Sequence, residues 1–477
     1  MALHLQVDGH HRVVEGPRPD TTLLAWLRAS GFTAAKEGCN EGDCGACTVL
    51  VQDEEGALRA VNSCLVLLPM MHGRRLWTAA GLAALDPDGG LHPAQQAMIE
   101  LNGSQCGYCT PGFVSVLVEA AHRPELADAP ADDWRLDDQL SGNLCRCTGY
   151  RPIQQALRAV AGSCPPGLLP TDPPPGGPVR YEAQGQRFQA PTSLDEALVL
   201  LAEDPPRIVC GASDLALDVN LRHRRFPSLL SLERIPELRA IEEEPARIRL
   251  GAALPLTELE AWSAEGLPVL HRMLRYFGSR PIKQRATLGG NLANASPIGD
   301  LAPVLLALDA LLLLASASGE RRVPIASFFT GYRQTALRPG ELIAAVEIPR
   351  PAPGTRLGAY KVSRRRELDI SAVAACFALR EEEGRITHLR LAYGGMAATP
   401  ARASQTEAAL LGQPWTPSAL RAALPSLDQD FQPMDDHRGS AAFRRSLARN
   451  LLLGFQLETA RHEQRALHAD HVGTVIL

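Results

Sequence analysis

Cys39-Asn40-Glu41-Gly42-Asp43-Cys44-Gly45-Ala46-Cys47, with Cys64 beyond it, decides how the first part of this chain folds. The spacing C-x4-C-x2-C with one distant cysteine is that of a plant-type [2Fe–2S] site, in which four thiolates hold two irons. Such a loop must turn backbone N–H groups toward its sulfurs. Wrapping that tightly needs backbone angles that glycine adopts cheaply, and Gly38, Gly42 and Gly45 are spaced through it. A structural zinc site is the competing assignment. Zinc sites usually pair two short cysteine knuckles, a layout this stretch lacks.

Cys106-Gly107-Tyr108-Cys109 and Cys145-Arg146-Cys147 supply a second set of four thiols. Two such sets in one chain of 477 residues predict two iron–sulfur clusters and electron movement in single steps. The thiols are too closely spaced for ordinary bridges, which argues against a disulfide framework. Cys164, Cys210 and Cys376 are given no role.

Bulk properties fit an enzyme rather than a nucleic-acid or membrane protein. Net charge is −5, no basic patch stands out, and no apolar run approaches the ~20 residues of a membrane span. Met1-Ala2-Leu3-His4-Leu5 opens directly in strand alternation with no cationic leader, so a cytoplasmic location is expected. Of the 48 basic residues only Lys36, Lys283 and Lys361 are lysine. Arginine does not replace a compact point charge, so these three invite scrutiny.

Residues 3–7 and 12–14 read as a hairpin around Asp8-Gly9, and Thr21 or Thr22 as the cap of a short helix through Leu23, Leu24, Trp26 and Leu27. A strand follows at 48–52. From about 92 to 160 the pattern is helical, with His92-Pro93 and Thr110-Pro111-Gly112 as helix starts and both cysteine pairs at helix ends. There the positive dipole end favours an anionic cluster. The proline-rich stretch 164–180 reads as a semi-rigid linker. A mixed α/β region runs to about 355. Strand alternation over Ile386 to Tyr393 then gives way to helix through 403–460.

Two small-residue loops stand out after the linker: Arg207-Ile208-Val209-Cys210-Gly211-Ala212-Ser213-Asp214-Leu215, and Thr287-Leu288-Gly289-Gly290-Asn291 continuing to Asp300. Small residues let backbone amides approach a phosphate. Neither loop is a G-x-G-x-x-G, so a Rossmann site is not indicated. Beside a one-electron chain, a flavin is the fitting occupant, because it pairs electrons.

Taken together these residues resemble the iron–sulfur/FAD small subunit of the bacterial xanthine dehydrogenases, in the molybdenum hydroxylase family. The resemblance runs nearly the whole length. It is most specific in Lys36–Thr48, Gln105–Gly112 and Gly142–Tyr150. It implies an α+β multidomain protein. Its parts would be a plant-ferredoxin-like β-grasp (1–78), a four-helix [2Fe–2S] domain (79–163), the linker (164–180), an FAD domain of the vanillyl-alcohol-oxidase type (181–355) and a C-terminal sheet-plus-helix domain (356–477). It assigns Cys39, Cys44, Cys47 and Cys64 to one cluster and Cys106, Cys109, Cys145 and Cys147 to the other. FAD contacts carry over onto Ile208 through Leu215, Thr287 through Asn291, and Asp300. Phe277 falls where the family places an aromatic against the ring, Ile343 matches an apolar contact, and Lys361 a basic residue near the flavin. One departure is Ala212, where the family usually has glycine.

The resemblance further implies a larger molybdopterin-binding partner chain, a two-plus-two heterotetramer, and NAD+ as acceptor in the oxidation of hypoxanthine and xanthine to urate. No catalytic residue is assigned to this chain. Related hydroxylases of aldehydes, carbon monoxide or heteroaromatic rings are the nearest alternative. A stand-alone electron carrier and a zinc-stabilised interaction module are rivals of other classes.

Overall fold

The computed structural model describes residues 1–53, 56–85, 90–130, 132–164, 177–203 and 205–460. Most of the proline-rich linker falls outside them. The chain forms two compact units: Met1–Ile235 with Gly278–Ala286, and Pro236–Phe277 with Thr287–Leu477.

The first unit begins with β1 (Leu3–Val7) and β2 (His10–Val14), a hairpin turned at Asp8 and Gly9, both at positive φ. Alternation buries Leu3, Leu5 and Val7. Helix α1 (Leu23–Ala29) is capped by Thr22, whose hydroxyl accepts from Ala25 N–H, and buries Leu23, Leu24, Trp26 and Leu27. Strands β3 (Thr48–Gln52), β4 (Leu58–Asn62) and β5 (Arg75–Trp77) complete a sheet of order β2-β1-β5-β3-β4, in which only β1 and β5 run parallel. The loop bearing the first three cysteines connects α1 to β3. Cys64 lies in a short 3₁₀ turn just after β4.

Four helices follow: α2 (Pro93–Glu100), α3 (Thr110–Ala121), α4 (Trp134–Leu140) and α5 (Arg151–Val160). Helix α3 is buried nearly all round, from Gly112 to Ala121, and forms the axis of this bundle. Then β6 (Val179–Ala183), β7 (Gln186–Ala190), α6 (Leu194–Glu203), β8 (Arg207–Val209), α7 (Leu215–Asn220) and β9 (Ser228–Ser231) build a sheet of order β6-β7-β9-β8. Tyr181 and Phe188 share one apolar core with the ferredoxin-like sheet. The segment Gly278–Ala286, carrying a one-turn helix at Arg280–Lys283, completes the unit.

The second unit holds two larger antiparallel sheets beside a two-stranded ribbon of Phe329–Gly331 and Gln334–Thr335. One runs in the order Ile241–Glu243, Arg247–Gly251, Leu342–Pro349, Leu311–Ser316, Gly319–Pro324. The other is Arg356–Val362, Val373–Glu382, Arg385–Gly394 and Ala401–Arg402. Helices Pro417–Asp430 and Ala441–Ala460 cover the latter, with Phe377, Tyr393, Phe431 and Phe455 at the centre of the core.

Candidate functional site

The first four thiols converge. Cys39 and Cys44 lie within mutual hydrogen-bond reach, as do Cys47 and Cys64, and Cys39 is close enough to Cys47 and Cys64 to perturb both. Cys39 Sγ accepts from Glu41 N–H at 3.5 Å and Cys44 N–H at 3.4 Å. The neighbouring Cys44 thiol, with these amides, lowers Cys39 to about 5, while Cys44 is pushed up. A sulfur held as thiolate and cradled by amides is what an iron cluster needs. The loop closes through Asn62, whose Nδ2 donates to Gly42 O at 3.0 Å, and Thr48, whose hydroxyl donates to Gly45 O at 2.7 Å.

The second set is built at helix ends, as expected. Cys109 caps α3, and Cys145 and Cys147 stand in the loop that enters α5. Cys106 pairs with Cys147, and Cys109 with Cys145. Cys145 Sγ accepts from the Thr148 hydroxyl at 3.2 Å and its amide at 3.5 Å. Burial opposes ionisation there, but those two bonds, with the Cys147 amide and the Cys109 thiol, lower the Cys145 thiol. Burial raises Cys109 to about 12. Cys106 and Cys147 are exposed.

The two thiol loops touch through their main chains. Leu144 N–H donates to the carbonyl of Cys44 at 3.0 Å, and Asn143 Nδ2 to Gly45 O at 3.0 Å. Ser115 on α3 donates to Thr48 O at 3.2 Å. Glycine makes this approach possible: a Cβ on Gly112 would sit 2.2 Å from Gly45 O, and one on Gly45, itself at φ +67, 2.2 Å from Gly142 O. One hydrogen bond therefore joins a cysteine of the first set to the residue preceding Cys145 of the second.

The candidate flavin segments are divided between the units. Ile208 through Leu215 belong to the first, where β8 runs into a turn and α7. Gly211 packs on the main chain of Arg285, where a Cβ would lie 1.6 Å from its carbonyl oxygen. Ala212 takes φ +65, so alanine adopts the left-handed geometry usually left to glycine, at a cost of about 1–2 kcal/mol. At the end of α7, Asn220 Nδ2 donates to Asn40 O at 2.9 Å and Cys64 O at 2.8 Å, tying this segment to the first thiol loop.

In the second unit, Thr287 caps the helix Leu288–Ala293, its hydroxyl accepting from Gly290 N–H at 3.2 Å, and Asn291 lies on that helix. Lys361, 1% exposed, donates to Asp300 Oδ2 at 2.8 Å and to Tyr276 O at 2.7 Å. Asp300 also accepts from the Ser371 hydroxyl at 2.5 Å. The structure thus joins Lys361 and Asp300 to the peptide just before Phe277, which is half-buried. Ile343 is buried in the first sheet, paired with Leu314. The Arg275 and Arg366 guanidiniums each lie 5.8 Å from the Tyr276 ring centre.

Sequence reasoning did not foresee a buried polar network on the helical bundle. Glu119 of α3 accepts from Arg280 Nε at 3.0 Å and Gln284 Nε2 at 2.7 Å, and Asp138 of α4 pairs with Lys283 at 2.8 Å. Burial alone would raise Asp138, but the charges of Lys283 and Arg280 hold it below its ordinary range. The scarcity of lysine was the available signal. Lys283 and Lys361 are both fully buried in ion pairs, while Lys36 is half-buried beside the first thiol loop.

Known families match nearly every part. A "2Fe-2S iron-sulfur cluster binding domain" matches residues 5–68 and a "[2Fe-2S] binding domain" 78–158. A "FAD binding domain in molybdopterin dehydrogenase" matches 182–351, and a "CO dehydrogenase flavoprotein C-terminal domain" 358–459. The xanthine dehydrogenase/oxidase of Rattus norvegicus is 31% identical over 98% of this chain, and the xanthine dehydrogenase of Emericella nidulans 30% over 95%. This chain spans only 40% and 38% of their lengths. Among solved structures, carbon monoxide dehydrogenase from Hydrogenophaga pseudoflava matches 59% of this chain and 98% of its own, at 29% identity and TM-score 0.54. Quinoline 2-oxidoreductase from Pseudomonas putida 86 matches 57% and 96%, at 28% and 0.52. Among the described residues no helix is long and apolar enough to cross a membrane. The chain is a mixed α+β multidomain protein that carries the iron–sulfur and FAD domains of a molybdenum hydroxylase of the xanthine dehydrogenase/CO dehydrogenase type.

Proposed function

We propose that this chain is the electron-transfer subunit of a xanthine dehydrogenase, paired with a separate molybdopterin subunit in a two-plus-two heterotetramer in the cytoplasm, with NAD+ as acceptor. The observation that carries the reading is the convergence of eight thiols into two sets whose loops share the Cys44–Leu144 hydrogen bond. When bound, the clusters pass single electrons and the flavin collects a pair for a two-electron acceptor. In this reading Cys39, Cys44, Cys47 and Cys64 hold one cluster and Cys106, Cys109, Cys145 and Cys147 the other. The amides of Glu41 and Cys44 and the hydroxyl of Thr148 stabilise the ligating thiolates. Ile208 through Leu215, Phe277, Thr287 through Asn291, Asp300, Ile343 and Lys361 hold FAD. Lys361 fixes the Asp300 carboxylate and the peptide before Phe277, and so sets the chain on which that ring is mounted. On this reading the domains are 1–78, 79–163, the linker 164–180, 181–355 and 356–477.

The test is to purify the native complex, identify its partner, and assay xanthine oxidation with NAD+ against O2. The isolated chain should show flavin, two distinct [2Fe–2S] EPR signals and NADH–dye activity, but no xanthine oxidation. A single EPR signal with eight intact thiols would sink the two-cluster assignment. The likeness to carbon monoxide dehydrogenase and quinoline 2-oxidoreductase supports a second reading, a sister hydroxylase. Turnover of carbon monoxide or a heteroaromatic ring, with xanthine inert, would select it.

A further inference from the structure

Helix α3 starts beside Cys109 and ends beside His122, twelve residues or about 18 Å away. At that far end three side chains meet that the cluster sites do not use. His92 is the N-cap of α2, His122 the C-cap of α3, and Cys164 follows α5. Their ligand atoms all lie within 4.8 Å of one another. The main chain holds them there: Cys164 N–H donates to Ala121 O and Gly162 N–H to Ala120 O, both at 2.9 Å.

We propose that His92, His122 and Cys164 form a zinc site, with water in the fourth position. Two imidazoles and a thiolate are donors that zinc favours. Tetrahedral arms of about 2.05 Å to nitrogen and 2.3 Å to sulfur require an N···S edge of about 3.6 Å. His92 Nε2 and Cys164 Sγ are 3.6 Å apart. His122 supplies the third corner: its Nε2 is enclosed and has no hydrogen-bond partner, and its ligand atom lies within 4.8 Å of the other two. Burial keeps that imidazole neutral, as a ligand must be.

Binding rearranges the protons at His92. In the empty site His92 Nδ1 accepts from Ala94 N–H at 3.1 Å, so the ring proton sits on Nε2 and points at Cys164. Zinc takes Nε2, the proton moves to Nδ1 and the cap bond breaks, a loss far smaller than the gain from three metal ligands. Cys164 gives up its own proton, so binding releases one proton and strengthens with pH. The ion then ties the ends of α2 and α3 to the segment after α5.

The test uses the full-length chain with its complete iron content, so that the eight cluster thiols are occupied. After equilibration with zinc sulfate and exhaustive dialysis, elemental analysis should find one zinc per chain. Zinc-edge X-ray absorption should show one sulfur at about 2.3 Å and nitrogens at about 2.0–2.1 Å. Ala94 N–H should lose hydrogen-exchange protection. Cys164→Ser should weaken binding by about 100-fold or more, beyond what loss of a supporting contact costs, with the cluster spectrum unchanged. His122→Ala, which leaves the α2 cap intact, should do the same and decides the matter if the serine variant does not fold. No retained zinc, equal binding by wild type and variants, or a shell without sulfur would overturn the site. The trio would then be a plain N–H···S hydrogen bond beside a half-buried histidine.

Discussion

Replacing Gly112 by alanine isolates the contact between the two thiol loops. Gly112 lies inside helix α3, so alanine costs nothing in backbone conformation and would ordinarily stabilise the helix. The added Cβ, however, would lie 2.2 Å from Gly45 O and 2.7 Å from Asn143 Nδ2. A carbon–oxygen contact needs about 3.3 Å, so α3 and the first loop must separate by about 1 Å. Gln139 ties the end of α4 to α3, so Asn143 and Leu144 move with it, and the Leu144–Cys44 and Asn143–Gly45 bonds stretch from 3.0 Å to about 4 Å, beyond hydrogen-bond range. Two such bonds are worth about 1–3 kcal/mol together, and resisting the separation costs a similar amount in strain. The expected destabilisation is about 2–3 kcal/mol. Chemical denaturation measures it, and hydrogen exchange at Leu144 N–H reports the local opening. The magnetic interaction between the two EPR signals should weaken in the same variant. A Gly112→Ala protein within 0.5 kcal/mol of wild type, with Leu144 still protected, would refute the argument that backbone contact joins the loops.

Lys283→Met removes the ammonium that faces Asp138 and leaves a carboxylate 7% exposed, with Arg280 Nη1 3.8 Å away as partial compensation. The cost should be about 3 kcal/mol in equilibrium unfolding, against ~0.5 kcal/mol for an exposed lysine. Asp138 is held below its ordinary 3.8, so its contribution is complete above pH ~4 and is lost as the pH falls through the native value. Asp138→Asn should flatten the acid limb of a stability–pH curve, and an unchanged limb would assign acid sensitivity elsewhere. Ala212→Gly relieves a left-handed alanine at the price of a looser unfolded chain; a net gain of about 0.5–1 kcal/mol is expected in urea titration. Lys361→Met strands Asp300 in the interior and, on the proposed flavin site, should lower the FAD-to-protein ratio measured at 450 nm without changing iron content.

What sequence could show depended on the range of the interaction concerned. The hairpin at Asp8-Gly9, the α1 cap and the start of α3 at Thr110 rest on neighbours a few residues apart, and all were readable. Thr22, not Thr21, makes the cap. The thiol sets were readable because metal coordination imposes spacing, even though Cys44 and Leu144 are a hundred residues apart where they bond. Long-range pairing without a spacing rule was not readable. Nothing local announces that Gly278–Ala286 packs with the helical bundle while Phe277 and Thr287, its flanks, belong to the other unit. The role of Asn220 was equally hidden, since a lone asparagine at a helix end is ordinary. Nothing local marks Cys164, which opens a proline-rich stretch, and its neighbours His92 and His122 lie 72 and 42 residues back in the chain.

The buried charges of Gly278–Ala286 and the glycines of the thiol loops are parts of one device. Helix α4 presents Asp138 and Gln139 and then runs through Ser141, Gly142, Asn143 and Leu144 into Cys145. Lys283 holds Asp138, while Gln139 Nε2 donates to Glu119 Oε2 at 3.0 Å and to Val116 O at 2.8 Å, both on α3. Pro281 then lies against Gly142, where a Cβ would meet its Cδ at 2.6 Å. An apolar seam could slide by a residue at little cost, because hydrophobic contact is non-directional. A directed ion pair has one low-energy register, and removing either partner leaves the other charged and buried. The network thus holds the C-terminal end of α4 in one position relative to α3. It thereby fixes where Asn143 and Leu144 meet Gly45 and Cys44. Hydrogen bonds at 3.0 Å across a glycine-only gap tolerate no error of an ångström, which is reason enough for charge rather than leucine at Glu119, Asp138 and Lys283.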